Sequence, residues 1–213
     1  MSQASAHSIY QHLLRQPDWN SVCTINNKHV DASSNSLAAL DPLQKKALQE
    51  AIHAQANKGF QYSYASIPIY DIVHQQLMPG DFFHSVFKFL NSAQFIGYIR
   101  ELTDDHKIQF ADAQATRYSA GDFLTMHNDD APGKERRVAY VLNLTPEWQA
   151  DWGGALQFFD SEGHIEAAFL PRFNALNLFA VPADHSVSLV APFADKPRYS
   201  ITGWLRSGKD PGS

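Results

Sequence analysis

The chain has a single cysteine, Cys23, in 213 residues. No internal disulfide can form, which suits a reducing compartment. It also lacks any run of about 18 consecutive apolar residues, and the stretch from Met1 to Asn20 has no charged segment followed by an apolar one. No membrane partner and no export are expected, and the expected location is the cytoplasm. Nor is there an excess of positive charge. The 17 Lys and Arg are outnumbered by 22 Asp and Glu, leaving a formal charge of −5, so the clustered cationic footprint that phosphate-backbone binding needs is missing. Nucleic acid is not an expected partner. Internal repeats and low-complexity tracts are absent too, which excludes solenoids and biased linkers.

What remains is ordinary globular composition, 44% hydrophobic and 18% charged, enough for a well-formed core. Domains run to roughly 100–150 residues and all-β barrels to about 250, so one domain over residues 1–213 is expected. Within it, residues 1–110 read as a helical support region and 111–208 as a β-rich core.

About three helices are expected in the support region. Asp41-Pro42 pairs an N-cap with a proline at the first helical position, and Leu43, Ala47, Leu48, Ala51 and Ile52 recur at helical spacing up to Gly59. A second helix starts near Pro79-Gly80-Asp81 and repeats Phe82, Val86, Phe89 and Leu90 on one face. A third starts at a Ser92 cap and carries Phe95, Ile96, Ile99 and Leu102. Between them residues 60–67 alternate with period two and read as a strand ending at Pro68 that could extend the main sheet. From Asp112 onward the chain breaks into short apolar or alternating runs at 113–118, 122–127, 136–144, 154–159, 164–169, 174–180, 185–190 and 198–206, separated by turn residues. Eight short strands so spaced suggest a sandwich or barrel, of which the jelly roll, or double-stranded β-helix, is the eight-stranded form.

Chemistry is concentrated in His127, Asp129, His185 and Arg198. Successive side chains of a strand point to opposite faces, so His127 and Asp129 are expected to project together while Asn128 and Asp130 point away. Two imidazoles and one carboxylate form the facial ligand set that holds Fe(II) and leaves coordination positions open. An H-x-D pair alone has little specificity, and the same three ligands could hold zinc or manganese in a non-catalytic cupin-like sensor. The discriminating segment is 198–204. Its alternation puts Arg198, Ser200, Thr202 and Trp204 on one face and Tyr199 and Ile201 on the other. A guanidinium inside a barrel is costly without an anion, and with a neighbouring hydroxyl it suits a small dicarboxylate.

Over residues 112–206 the chain resembles the Fe(II)- and 2-oxoglutarate-dependent dioxygenases, in particular their prolyl-hydroxylase branch. The resemblance rests on Ala115-Thr-Arg-Tyr118, His127-Asn-Asp129, residues 136–144, Trp148 with Asp151-Trp-Gly-Gly154, His185-Ser-Val and Arg198-Tyr-Ser-Ile-Thr-Gly-Trp204, in family order. It implies a metal site at His127, Asp129 and His185. It further implies 2-oxoglutarate anchored by Arg198 and contacted by Tyr118, with Ser200 and Asn143 as weaker cosubstrate contacts. Asn143 stands where several relatives carry a tyrosine. O2 is the other cosubstrate, with ascorbate a candidate reductant.

The implied reaction releases succinate and CO2 and hydroxylates a carbon centre, with a prolyl residue of a protein or peptide as the expected substrate. A free amino acid or other small molecule is the alternative. Tyr62, Tyr64, Tyr70 and Trp204 are the candidate substrate-contacting residues. Oligomeric state is not legible in the sequence.

Overall fold

The computed structural model describes residues 1–210. In chain order the elements are α1 (Gln3–Arg15), β1 (Asn20–Ile25), β2 (Lys28–Ala32), α2 (Ser34–Ala38), α3 (Pro42–Ala56), β3 (Tyr62–Ile67), α4 (Ile69–His74), α5 (Phe82–Leu90) and α6 (Ala93–Thr103). The β-rich part follows, with β4 (Phe110–Ala111), β5 (Gln114–Tyr118), β6 (Phe123–His127), β7 (Arg136–Asn143), β8 (Leu156–Phe159), β9 (Ile165–Phe169), β10 (Ala175–Ala180), β11 (His185–Val187) and β12 (Arg198–Arg206). All eight expected strands of the core form.

Helix starts follow their cap chemistry. Asp41 accepts the Gln44 N–H while Gln44 reaches back to the Asp41 N–H, a reciprocal capping box ahead of Pro42. Asp81 and Ser92 cap α5 and α6 through the Phe83 and Phe95 N–H groups. The support region nevertheless holds six α-helices rather than about three, and it also holds strands. Ser2 caps α1, which buries Ala6, Ile9 and Leu13 at helical spacing. β1 and β2 form a hairpin through Asn26 and Asn27, both left-handed at φ 52° and 60°, the geometry that matches strand twist in two-residue turns. α3 forms as its spacing predicts but buries none of its side chains, and Leu43 is 78% exposed.

All strand pairings are antiparallel, and one path runs β10-β7-β12-β5-β3-β6-β11-β8-β9. The sheet curls because β3 pairs with β5 through Ala65↔Arg117 and with β6 through Tyr62↔Leu124. It thereby joins the β10-β7-β12-β5 half to the β6-β11-β8-β9 half. The result is the jelly roll expected from eight short strands, with one extra strand bridging its two halves.

Period two along the strands then divides the interior. Ala115, Val138, Tyr140, Leu142, Tyr199, Ile201 and Leu205 pack with Ile9, Leu13, Phe83, Leu90 and Ile99 from the helices. Thr116, Tyr118, Val141, Arg198 and Ser200 line a cavity on the opposite face. The helices thus buttress one side of the sheet and leave the other to enclose the site.

The central strand β12 has one position of very close approach. A Cβ on Gly203 would lie 2.3 Å from the Asp112 carbonyl oxygen and 2.8 Å from its Oδ1. Gly203→Ala is therefore expected to lower stability by about 1–3 kcal/mol, the usual range for overpacking. The urea midpoint of the purified variant tests this, and an unshifted midpoint would show that the two segments part freely.

Candidate metal centre and cosubstrate pocket

His127 ends β6 and His185 begins β11, and the two are direct partners in the ladder. Their rings lie 4.1 Å apart, centroid to centroid. Each Nδ1 sits at hydrogen-bond distance from a backbone carbonyl, His127 from Thr125 at 3.0 Å and His185 from Ala183 at 2.7 Å. An Nδ1–H donated there leaves each Nε2 lone pair free to bind a cation. Asp129 closes the group, with Oδ1 at 3.2 Å from His127 Nε2 and Oδ2 at 3.5 Å from His185 Nε2.

The route to this convergence differs from the strand alternation expected for His127 and Asp129. β6 stops at His127, and Asp129 has a left-handed backbone at φ 64°. Its carboxylate is turned back onto the histidines by a turn, not by the pleat. Asp130 is exposed, as expected.

The electrostatics suit a cation. Burial pushes the Asp129 carboxyl up, but the His127 hydrogen bond and charge, His185 and the Trp204 N–H outweigh it and hold the group below the usual carboxylate range. His185 is pushed down by burial and then by His127. Two imidazoles and a carboxylate, with one ligand atom from each within 4.8 Å of the others, fit a divalent metal ion.

These groups share one cavity of about 350 Å³ with Arg198, Tyr118 and Ser200. Arg198 is 2% exposed. Its Nη1 donates to the Gly154 carbonyl at 2.9 Å and its Nη2 to Asn143 Oδ1 at 3.3 Å, while its Nε has no partner. Its guanidinium lies 5.5 Å from the Tyr118 ring centroid. No carboxylate of the described residues forms an ion pair with it. Burial lowers its pKa to about 10, still cationic at neutral pH. A buried guanidinium held by dipoles alone, with a donor left over, fits an anionic ligand.

The remaining sequence candidates separate. Ser200 lines the cavity and shares a 2.8 Å hydrogen bond with Thr116. Tyr62 and Tyr64 line it too, in an aromatic ladder in which Phe60, Tyr62, Tyr64 and Tyr118 follow at 5.6, 5.7 and 4.9 Å. Asn143 does not reach the wall of the cavity. Its Oδ1 accepts from Arg198 and its Nδ2 donates to Asn177 Oδ1 at 2.7 Å, so it supports the guanidinium. Tyr70 is displaced as well, because the chain turns at Pro68 into α4. There Tyr70 stacks on His74 at 4.1 Å against the helical core, and its hydroxyl donates to Asp210. Trp204 lines the cavity, and its indole N–H donates to Asp129 Oδ2 at 2.9 Å.

Gln114, Thr116 and Phe179 line the cavity without having been singled out in the sequence. The first two were within reach, since they precede Tyr118 by four and two residues on β5 and share its face. Phe179 carries no such signal.

Residues 113–206 match the family model described as the 2OG-Fe(II) oxygenase superfamily. Prolyl 3-hydroxylase OGFOD1 of Mus musculus is 34% identical over 101 residues, covering 44% of this chain and 18% of that protein. Prolyl 3-hydroxylase sudestada1 of Drosophila melanogaster is 26% identical over 185 residues, covering 79% of this chain and 34% of that protein. The chain therefore spans about a third or less of the length of these curated relatives. Among solved structures, a Pseudomonas putida prolyl-4-hydroxylase superposes with TM-score 0.54 at 17% identity, covering 96% of this chain and 100% of that one. An oxidoreductase of the 2OG-Fe(II) oxygenase family from Burkholderia pseudomallei gives TM-score 0.60 at 13% identity, covering 98% and 82%. The structural likeness shows the shared fold. The sequence matches support the resemblance to the prolyl-hydroxylase branch.

A metal-binding site of this kind stabilises the folded chain by mass action. Mn(II) at about a hundredfold over its Kd adds about 2.7 kcal/mol, which for a chain of this size raises Tm by roughly 5–10 °C. Asp129→Ala is expected to abolish the shift in a thermal melt. A shift that survived it would move the cation elsewhere.

Proposed function

We propose that this chain, whose residues 113–206 match the 2OG-Fe(II) oxygenase superfamily, is an Fe(II)- and 2-oxoglutarate-dependent dioxygenase that hydroxylates a prolyl residue of a protein or peptide. Residues 111–208 are its catalytic core. The observation that carries the reading is the pairing, in one cavity, of the His127–Asp129–His185 cluster with a buried guanidinium that has no carboxylate partner among the described residues.

His127, Asp129 and His185 hold the metal through one ligand atom each. Arg198 takes the distal carboxylate of 2-oxoglutarate, with the Gly154 carbonyl and Asn143 fixing the plane of its fork. Tyr118, whose hydroxyl stays protonated because burial raises its pKa far above the ordinary value, supplies a neutral donor and a ring face beside that charge. Ser200 and Thr116 add hydroxyls on the same wall. When bound, Fe(II) with 2-oxoglutarate and O2 supplies oxidative decarboxylation to succinate and CO2 coupled to transfer of one oxygen atom into a substrate C–H bond. Ascorbate is proposed as the accompanying reductant, and the cytoplasm as the setting, consistent with the single buried Cys23.

The charges of the cavity favour a peptidyl over a free amino-acid substrate. Its charged lining residues are Asp129, Arg136 and Arg198, besides the two histidines. Asp129 is assigned to the metal and Arg198 to the cosubstrate, while Arg136 is engaged with Asp129 and Trp204. Nothing in that set is left for the ammonium and carboxylate of a free amino acid, whose burial unpaired is costly. A residue flanked by neutral amides avoids that cost. Phe60, 47% exposed at the outer end of the aromatic ladder, with Tyr62 and Tyr64, presents ring faces to an apolar pyrrolidine.

Succinate formation that requires both Fe(II) and 2-oxoglutarate, and that disappears in His127→Ala and Asp129→Ala, is the expected result. Its absence with every peptide and small-molecule substrate tried would favour a metal-binding sensor. Arg198→Ala is expected to raise the KM for 2-oxoglutarate on the order of 30-fold or more, since losing one partner of a buried charge pair costs about 2–5 kcal/mol. An unchanged KM would remove Arg198 from the site. Comparing proteomes exposed to the wild type and to Asp129→Ala by mass spectrometry identifies the target, as a peptide heavier by one oxygen at proline.

A further inference from the structure

We propose that Trp204 and Arg136 are positioning residues that set Asp129 as a one-oxygen metal ligand. The proposal rests on the reading of His127, Asp129 and His185 as the metal site.

Asp129 needs outside support. It lies past the end of β6, with no ladder hydrogen bonds of its own, and its left-handed backbone is a conformation that aspartate tolerates only at some cost. Two contacts hold it, and a third braces the holders. The Trp204 indole N–H donates to Oδ2 at 2.9 Å and fixes the rotation of the carboxylate. Arg136 Nη1 donates to the Asp129 backbone carbonyl at 3.0 Å and fixes the turn. The Arg136 guanidinium in turn lies over the Trp204 indole, 3.4 Å from its centroid, so the two holders brace each other. Trp204 is itself anchored at its backbone N–H, which donates to Asp112 Oδ1 at 2.7 Å.

The consequence is chemical. With Oδ2 engaged by the indole, Oδ1 is the oxygen left to bind a cation beside His127. Single-oxygen ligation keeps more coordination positions open for cosubstrate and O2 than chelation by both oxygens would. The planarity of Arg136 matters for the stacking, so lysine is not an equivalent at that position.

Trp204→Phe, read together with the metal-free Tm, separates this role from packing, because it keeps an aromatic ring at the position and removes the donor. The probe is Mn(II) alone, with the free aqueous ion counted by its electron paramagnetic resonance signal. The expected result is a Kd raised about 10–100-fold, the usual effect of losing a group that orients a metal ligand, with the metal-free Tm near that of the wild type. Wild-type affinity in Trp204→Phe overturns the proposal. So does a weaker affinity that comes with a metal-free Tm lower by more than about 5 °C, a change of one kcal/mol or more in a domain of this size, because that assigns Trp204 to packing. If Trp204→Phe does not fold, Arg136→Lys carries the test: several-fold weaker Mn(II) binding supports the clamp, and unchanged binding overturns it. A wild-type protein that binds no Mn(II) fails the metal-site reading itself, whereas a failed clamp leaves wild-type binding intact and the variants equal to it.

Discussion

A guanidinium shut away from water, with no carboxylate among the described residues paired to it, is the constraint around which the rest of this structure is arranged. Arg198 sits at the start of the central strand, between β5 and β7. Burying such a charge is expensive, and the chain offsets that cost with dipoles: the Gly154 carbonyl, the Asn143 amide oxygen and the face of Tyr118. Gly154 is suited to this. Its backbone is left-handed at φ 63°, and a Cβ there would press on Trp148 and Val190 at 3.3 Å. Dipoles make the cation tolerable without neutralising it, so the cavity keeps a net attraction for an anion.

The other end of the cavity has the opposite polarity. Asp129 is an anion flanked by two imidazoles, and β12 connects the two ends, because its alternation carries Arg198, Ser200, Thr202 and Trp204 along one wall. A buried cation and a cation-binding cluster thus share one cavity. The aromatic ladder on β3 closes the neighbouring side with surface that is neutral and flat.

Much of this was legible in the sequence, for identifiable reasons. The eight core strands were marked by alternation and turn residues, and the inward face of β12 followed from period two alone. Asp41, Asp81 and Ser92 announced their helices through cap chemistry. Other features depended on tertiary context. The helix α3 has the right spacing but an unburied face, because spacing says that a stripe exists and not what covers it. The convergence of Asp129 with His127 was foreseen on strand geometry and is achieved by a left-handed turn. Tyr70 looked like a neighbour of Tyr62 and Tyr64 because it is near them in sequence, yet Pro68 sends it to the opposite side of the sheet. Asn143 lies beside Arg198 and outside the cavity lining, and residue type does not reveal that its amide is engaged by Asn177 and Arg198.

The strand β12 works as a ruler. Trp204 lies six positions after Arg198, which at roughly 3.3 Å per residue fixes a backbone span of about 20 Å, and each end serves a different partner. Insertion or deletion of one residue between them would turn one end outward while leaving the other in place. The gene segment encoding this strand can therefore diverge by substitution but not by change of length. Descendants of this chain should keep that interval constant even where surrounding loops grow, shrink or vanish.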